Sequence, residues 1–150
     1  MSPSTWGPPI WTLFHCLAEK IKEEEYHTIG PQVFSYIKQI CQNLPCPDCT
    51  QHATSFLRKV THESVNTKQK LQTFLCIFHN SVNKRKNKQQ QDTSKLARYR
   101  SLNLIVVFND FLRVYNTRGN MKLLADTFHR TQLTNHFKTW MSANIRHFNI

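Results

Sequence analysis

Glycine is scarce in this chain, with three residues in 150, and the six prolines are scattered. No stretch alternates apolar and polar residues in the way a half-buried strand requires, so the fold class is read as all-α. No eighteen consecutive apolar residues occur, which excludes a membrane-spanning helix. No signal-peptide pattern opens the sequence, so a secretory route is not expected. Five cysteines are too few for a disulfide scaffold, and in a reducing compartment a close pair points instead to metal or catalysis. Acidic residues are also short, and unevenly so. Residues 1–83 carry seven Lys/Arg and six Asp/Glu, whereas residues 84–150 carry thirteen and three. A basic second half points to an anionic partner or to a solvated face.

What is present is a core-forming share of apolar residues, 39%, in a length that suits one domain. The centre of the chain is Leu44-Pro45-Cys46-Pro47-Asp48-Cys49-Thr50-Gln51-His52. Pro47 lacks an N–H and has a φ suited to a first helical turn, so the cysteine pair should stand at a helix entrance. Free backbone N–H groups and the helix dipole there favour a thiolate over a thiol. His52 follows Cys49 by three residues and shares its face. Redox chemistry and a zinc half-site both remain open from this stretch alone.

Around it the chain reads as amphipathic helices. Ser2–Pro9 is a polar, proline-rich lead. A helix from Ile10 places Trp11, Phe14, Leu17, Ala18 and Ile21 on one stripe, and Gly30-Pro31 ends that element. His15 lies one turn after Trp11; a histidine in such surroundings is commonly a satisfied core residue. Gln32–Asn43 forms a second helix with Cys41 inward, and the helix opened by the cysteine pair runs to about Lys59. Residues 61–69 read as loop. From Leu71 to about Lys88 a fourth helix changes character: its first half is apolar, and its second presents His79, Asn80, Asn83, Lys84, Lys86 and Asn87. Such a stripe is costly on a packed helix unless its groups find partners, which a polar ligand would supply. Thr93 or Ser94 is expected to cap a long helix ended by Gly119, followed by a last helix from Met121 to Phe148.

Together these pieces resemble the Erv/ALR family of FAD-linked sulfhydryl oxidases, most closely its compact versions from large cytoplasmic DNA viruses. Trp6-Gly7-Pro8-Pro9-Ile10-Trp11-Thr12-Leu13-Phe14-His15 is similar to the family's opening motif, with Pro8 where Arg is frequent. Cys46–Cys49 is the redox pair. Cys76-Ile77-Phe78-His79-Asn80-Ser81-Val82-Asn83-Lys84-Arg85-Lys86-Asn87-Lys88 is similar to its Cys-x-x-His-Asn-x-Val-Asn signature, with Lys86 where Leu is usual. Arg98-Tyr99 is read as the later cofactor-touching pair.

The resemblance implies a four- or five-helix bundle enclosing FAD over residues 1–100, with a basic helical extension, 101–150, packed on it. It implies Cys46 and Cys49 as the catalytic pair, Cys49 nearer the flavin, with electrons passing to FAD and then to O2 to give hydrogen peroxide. The cofactor-binding set it implies is Gly7, Trp11, His15, Cys49, His52, Cys76, His79, Asn80, Val82, Asn83, Lys86, Lys88, Arg98 and Tyr99, with no metal. In cellular members the cysteine matching Cys76 pairs with one at the position of Thr93, so that clamp is missing here. The expected partners are a small or thioredoxin-like protein dithiol, O2 and a second copy of the chain, pairing through Phe14, Leu17, Val33, Phe34 and Ile37. Neither a membrane nor nucleic acid is expected. The expected location is the host cytoplasm, with the virion or viral factory included. The competing reading is a basic nucleic-acid module holding zinc through Cys46, Cys49, His52 or His79, and Cys76. It leaves Trp11, His15, Asn80 and Asn83 without a role.

Overall fold

The computed structural model describes residues 3–116 and 124–150. Six α-helices follow one another there: α1 (Pro3–Lys20), α2 (Tyr26–Cys41), α3 (Pro47–Arg58), α4 (Lys68–Arg85), α5 (Leu104–Tyr115) and α6 (Leu124–Asn144). A 3-10 helix, Thr93–Ser101, joins α4 to α5. Among the described residues the only β pairing is a single bridge between Ile21 and Phe148. The all-α reading holds.

Helix α1 is the axis. Its packing is most extensive against α5, then against the Thr93–Ser101 helix and α4, while α6 lies across α2. Leu13, Leu17, Ile21, Ile37, Ile40, Phe111 and Tyr115 are fully buried in one continuous core. Tyr36 stacks on Phe137 at 4.4 Å. Trp140 Nε1 donates to Gln32 Oε1 (2.7 Å), and the Tyr115 hydroxyl donates to the Ile40 carbonyl (3.1 Å). Phe14, Leu17, Val33, Phe34 and Ile37 are all buried within the one chain. The pairing surface expected from them is therefore absent, because the chain's own packing covers it.

Four boundaries differ from the sequence reading. First, α1 starts at Pro3 rather than Ile10 and continues through Pro8 and Pro9. Trp6 and Ile10 are buried one turn apart, and that burial outweighs two missing ladder donors. Second, Gly30 and Pro31 lie inside α2 instead of ending a helix. Gly30 is there for clearance: a Cβ would stand 2.5 Å from the Tyr26 ring, whose hydroxyl donates to the Val65 carbonyl at 2.6 Å. Third, α4 stops at Arg85. Asn87 adopts φ 57°, Asn87 N–H donates to Lys84 O (3.2 Å) and Lys88 N–H to Asn83 O (2.7 Å). That is a Schellman closure with asparagine in the left-handed position. Fourth, the caps at 93–94 are replaced by Asp92, which accepts from Ser94 N–H, and by Asn103, which accepts from Ile105 and Val106 N–H. The expected loop at 61–69 holds one 3-10 turn, His62–Val65. Ser2, Gly119 and Met121, which carried the remaining boundaries, lie outside the described residues.

Candidate active site

Pro47 occupies the first turn of α3, as its chemistry predicts, and Cys46 is the N-cap residue. The Cys49 N–H donates to Cys46 Sγ at 3.3 Å, so the free N–H end of α3 meets the sulfur of Cys46 rather than that of Cys49. Thr50 fastens the entry: its hydroxyl accepts from Leu44 N–H (3.1 Å), and its own N–H donates to Cys46 O (3.0 Å). Both thiols are half-buried and unbonded. Burial, then the hydrogen bond and charge of Cys46, push the Cys49 thiol up to about 11 against the pull of Lys86 and Arg85. Burial thus opposes on Cys49 the thiolate expected at this helix entrance.

A cavity beside the pair is lined by Cys49, Trp6, Gly7, Trp11, Phe14, Cys41, His52, Phe78, Val82, Arg85 and Lys86, among others. It adjoins a cleft of about 380 Å³ that shares Gly7, Trp11, Val82 and Lys86 and adds His79, Asn83, Lys88, Gln89, Gln91, Arg98 and Tyr99. A smaller recess carries on past His79 to His15 and Cys76. The three form one groove from the dithiol along α1 and α4. A Cβ on Gly7 would meet nothing within 4 Å, so the glycine leaves room at the junction.

The groove's floor is a stack of rings. Trp11 lies parallel to His79 at 4.1 Å, His15 Nε2 meets His79 Nδ1 at 3.0 Å, and His15 stacks on Tyr99 at 4.8 Å. Arg98 stands over Tyr99 at 5.0 Å and donates to its hydroxyl at 3.0 Å. Burial, then His79 and Arg98, lower His15 to about 3; burial, then Arg98 and Lys88, lower His79 to about 4. Burial lowers His52 also, helped by Arg85 and Lys86. All three imidazoles are therefore neutral near neutral pH, and the positive charge of the groove sits on Arg85, Lys86, Lys88, Lys95 and Arg98.

All but one of the sequence-derived positions line this groove or, like Cys46, its mouth. Asn80 is the exception. Its Nδ2 donates to Gln91 O and its Oδ1 accepts from Gln91 N–H, both at 2.7 Å. It ties the 88–92 strap to α4 rather than facing a ligand. That tie stands near the place of the missing clamp, for Cys76 Sγ also meets Gln91 O at 3.7 Å. Sequence reasoning missed Trp6, Phe78, Arg85, Gln89 and Gln91. Trp6 could have been found from its one-turn spacing to Ile10; the glutamines carried no signal.

A sequence profile of the Erv1 / Alr family matches residues 8–101. The chain belongs to the Erv1 / Alr family. Similar relatives include a proposed FAD-linked sulfhydryl oxidase of Invertebrate iridescent virus 6, 31% identical over 94 residues, which are 59% of this chain and 85% of the relative. The FAD-linked sulfhydryl oxidase of African swine fever virus is 32% identical over 84 residues, covering 56% of this chain and 70% of that one. A proposed FAD-linked sulfhydryl oxidase of Frog virus 3 is 32% identical over 89 residues, covering 57% and 59%. No solved structure gives a significant match.

The groove's own chemistry fits the cofactor named in those relatives. It offers a flat aromatic floor, several Lys and Arg side chains in its lining and neutral imidazoles. Two buried polar atoms on its lining, Trp6 Nε1 and Gln91 Oε1, have no protein partner. Such orphans cost about 1–3 kcal/mol each unless something else bonds them. A zinc site fares worse. Among the described residues, no three His, Cys, Asp or Glu side chains gather closely enough to hold a metal ion.

Proposed function

We propose that this chain is an FAD-linked sulfhydryl oxidase. The observation that carries the reading is Cys49 on the wall of the same groove that Trp11, His79, Lys88 and Arg98 line. Two substrate thiols reduce the Cys46–Cys49 disulfide: one attacks Cys46 to form a mixed disulfide, and the second releases it as substrate disulfide, leaving two protein thiols. When bound, FAD would supply the two-electron acceptor through which that dithiol returns to the disulfide and O2 becomes hydrogen peroxide. The chain's part is to hold the cofactor and to keep Cys49 against it. Trp11, His15, His79 and Tyr99 would supply ring contacts to it, and Lys86, Lys88 and Arg98 would offer charge to its phosphates. The purified protein should be yellow, carry about one FAD per chain and consume O2 with dithiothreitol. A colourless protein with stoichiometric zinc would refute this.

The physiological substrate is proposed to be a small or thioredoxin-like protein dithiol that meets Cys46 directly. Cys16, Cys41 and Cys76 are buried thiols with no sulfur partner, which suits inert groups rather than a relay. A Cys16, Cys41 and Cys76 triple change that loses protein oxidation while keeping dithiothreitol oxidation would reveal a hidden shuttle. Residues 1–100 are proposed as the oxidase domain and 101–150 as an extension that covers its apolar faces. The proposed setting is the host cytoplasm, including viral factory or virion. A non-covalent homodimer would use the face where Ile105 and Val106 remain exposed. Light scattering at micromolar concentration tests it, and a monomer rejects it.

A further inference from the structure

Trp6 is the residue in the groove whose chemistry the proposed oxidase does not yet use. It is 4% exposed, lines the same cavity as Cys49, and its indole Nε1–H has no hydrogen-bond partner. Buried indole donors ordinarily find an acceptor, because a full-sized polar group left alone in apolar surroundings is costly. Most neighbours that share the cavity are apolar, and Arg85 and Lys86 are donors themselves; the imidazole of His52 and the sulfurs of Cys41 and Cys49 also line it, yet none of them bonds the indole. Lys86 Nζ stands 5.9 Å from the centre of the Trp6 ring, so the ring also holds a cation beside the cavity. A side chain that gives up a hydrogen bond here must regain it from something that enters.

We infer that the Trp6 Nε1–H donates a hydrogen bond to the isoalloxazine ring of bound FAD, making Trp6 a cofactor-positioning residue at the dithiol end of the groove. The inference rests on the oxidase reading above. The ring supplies what the cavity lacks: carbonyl oxygens and ring nitrogens on a flat apolar body, which suits aromatic walls and one lone donor. The bond fixes which edge of the ring faces Trp6, and so how the ring presents itself to Cys49 on the same wall. Gly7, next in sequence and without a side chain, leaves the approach open.

Trp6→Phe keeps an aromatic ring under Lys86 and removes the donor together with part of the indole's volume, so the indole resonance of the parent is the readout that separates the lost hydrogen bond from lost packing. The holoenzyme of this variant should release FAD about tenfold faster on dilution than the parent, the effect of one lost buried hydrogen bond. Its visible flavin band should also shift, which mere loosening of the helix would not cause. In the parent holoenzyme, the indole N–H resonance that the variant lacks should exchange slowly with solvent and move when FAD is displaced. Unchanged release and an unchanged band would overturn the inference, as would an indole proton insensitive to FAD; both would mean that water or nothing meets the donor. If the variant does not fold, the resonance of the parent decides alone. A parent protein that holds no FAD at all defeats the oxidase reading itself, a separate result from a parent that holds FAD and a variant that holds it equally well.

Discussion

Acidification tests the ring stack at the base of the groove. His15 is 4% exposed, and its imidazole sits at about 3 in the folded chain against 6.5 when free. His79, in contact with it at 3.0 Å, sits at about 4. A group with a depressed folded value binds its proton more readily in the unfolded chain, so protons favour unfolding wherever the two values differ. For a histidine held neutral, stability is full above 6.5 and falls as pH drops from there toward the folded value. Moving from about pH 7 to about pH 5 should cost about 2 kcal/mol through His15, at 1.4 kcal/mol per unit below the free value. His79 is partly exposed, and solvent screening reduces its share to about 1 kcal/mol. For a chain of this length the sum lowers the melting temperature by about 6–12 °C. Calorimetry at constant ionic strength, in half-unit pH steps, measures this, with His15→Leu as the comparison. A melting temperature that is flat from neutrality to about pH 5 would show that the pair is not held neutral. So would a His15→Leu variant with the parent's full acid sensitivity.

Cys46→Ser and Cys49→Ser should each abolish dithiothreitol oxidation. Only the Cys46 variant should develop a long-wavelength shoulder in the flavin spectrum as the pH is raised and Cys49 ionises, since it alone retains the cysteine of the pair that lies on the groove wall; a shoulder in the Cys49 variant would reverse the assignment. Gly30→Ala should destabilise by about 2–3 kcal/mol in urea titration, because the new methyl displaces the Tyr26 ring and its bond to Val65. A loss under about 0.5 kcal/mol would mean that α2 shifts freely. Arg130 is 1% exposed and, among the described residues, its Nε and Nη1 have no partner while Nη2 donates to the Thr127 hydroxyl. Arg130→Met should therefore raise stability by about 1–2 kcal/mol with oxidase activity retained; a marked fall in melting temperature would mean that the guanidinium is paired in solution.

The groove was legible in the sequence because its parts repeat at helical spacing. Trp11 and His15, Cys49 and His52, and His79 and Asn83 are each one turn apart, so naming the helices places the side chains on a wall. Prolines misled where burial overruled them, at Pro8, Pro9 and Pro31, since local propensity carries no information about a tryptophan one turn away that must be covered. The strap at 88–92 was invisible for a different reason. Its position follows from one left-handed asparagine and from the double bond between Asn80 and Gln91, and neither leaves a periodic trace. The burial that opposes a thiolate on Cys49 was not legible, because a helix end is apparent in sequence whereas the depth of a sulfur is not.

The packing of α1 also sets the order in which this chain can become a protein. Its companions lie far along the sequence: α5 begins at Leu104, Ile21 pairs with Phe148, Lys22 N–H donates to His147 O at 3.0 Å, and Asn149 N–H donates to Lys20 O at 2.7 Å. During synthesis α1 emerges well before α5, the helix it packs against most extensively, so its apolar stripe waits for cover. Closing loops that long carries a large entropy before any contact is gained, so folding should be slow for a helical protein of this size. During that wait the uncovered stripe is open to chaperones and to aggregation. The same closure makes the native state cooperative, because residues 147–149 and the end of α1 cannot fray separately.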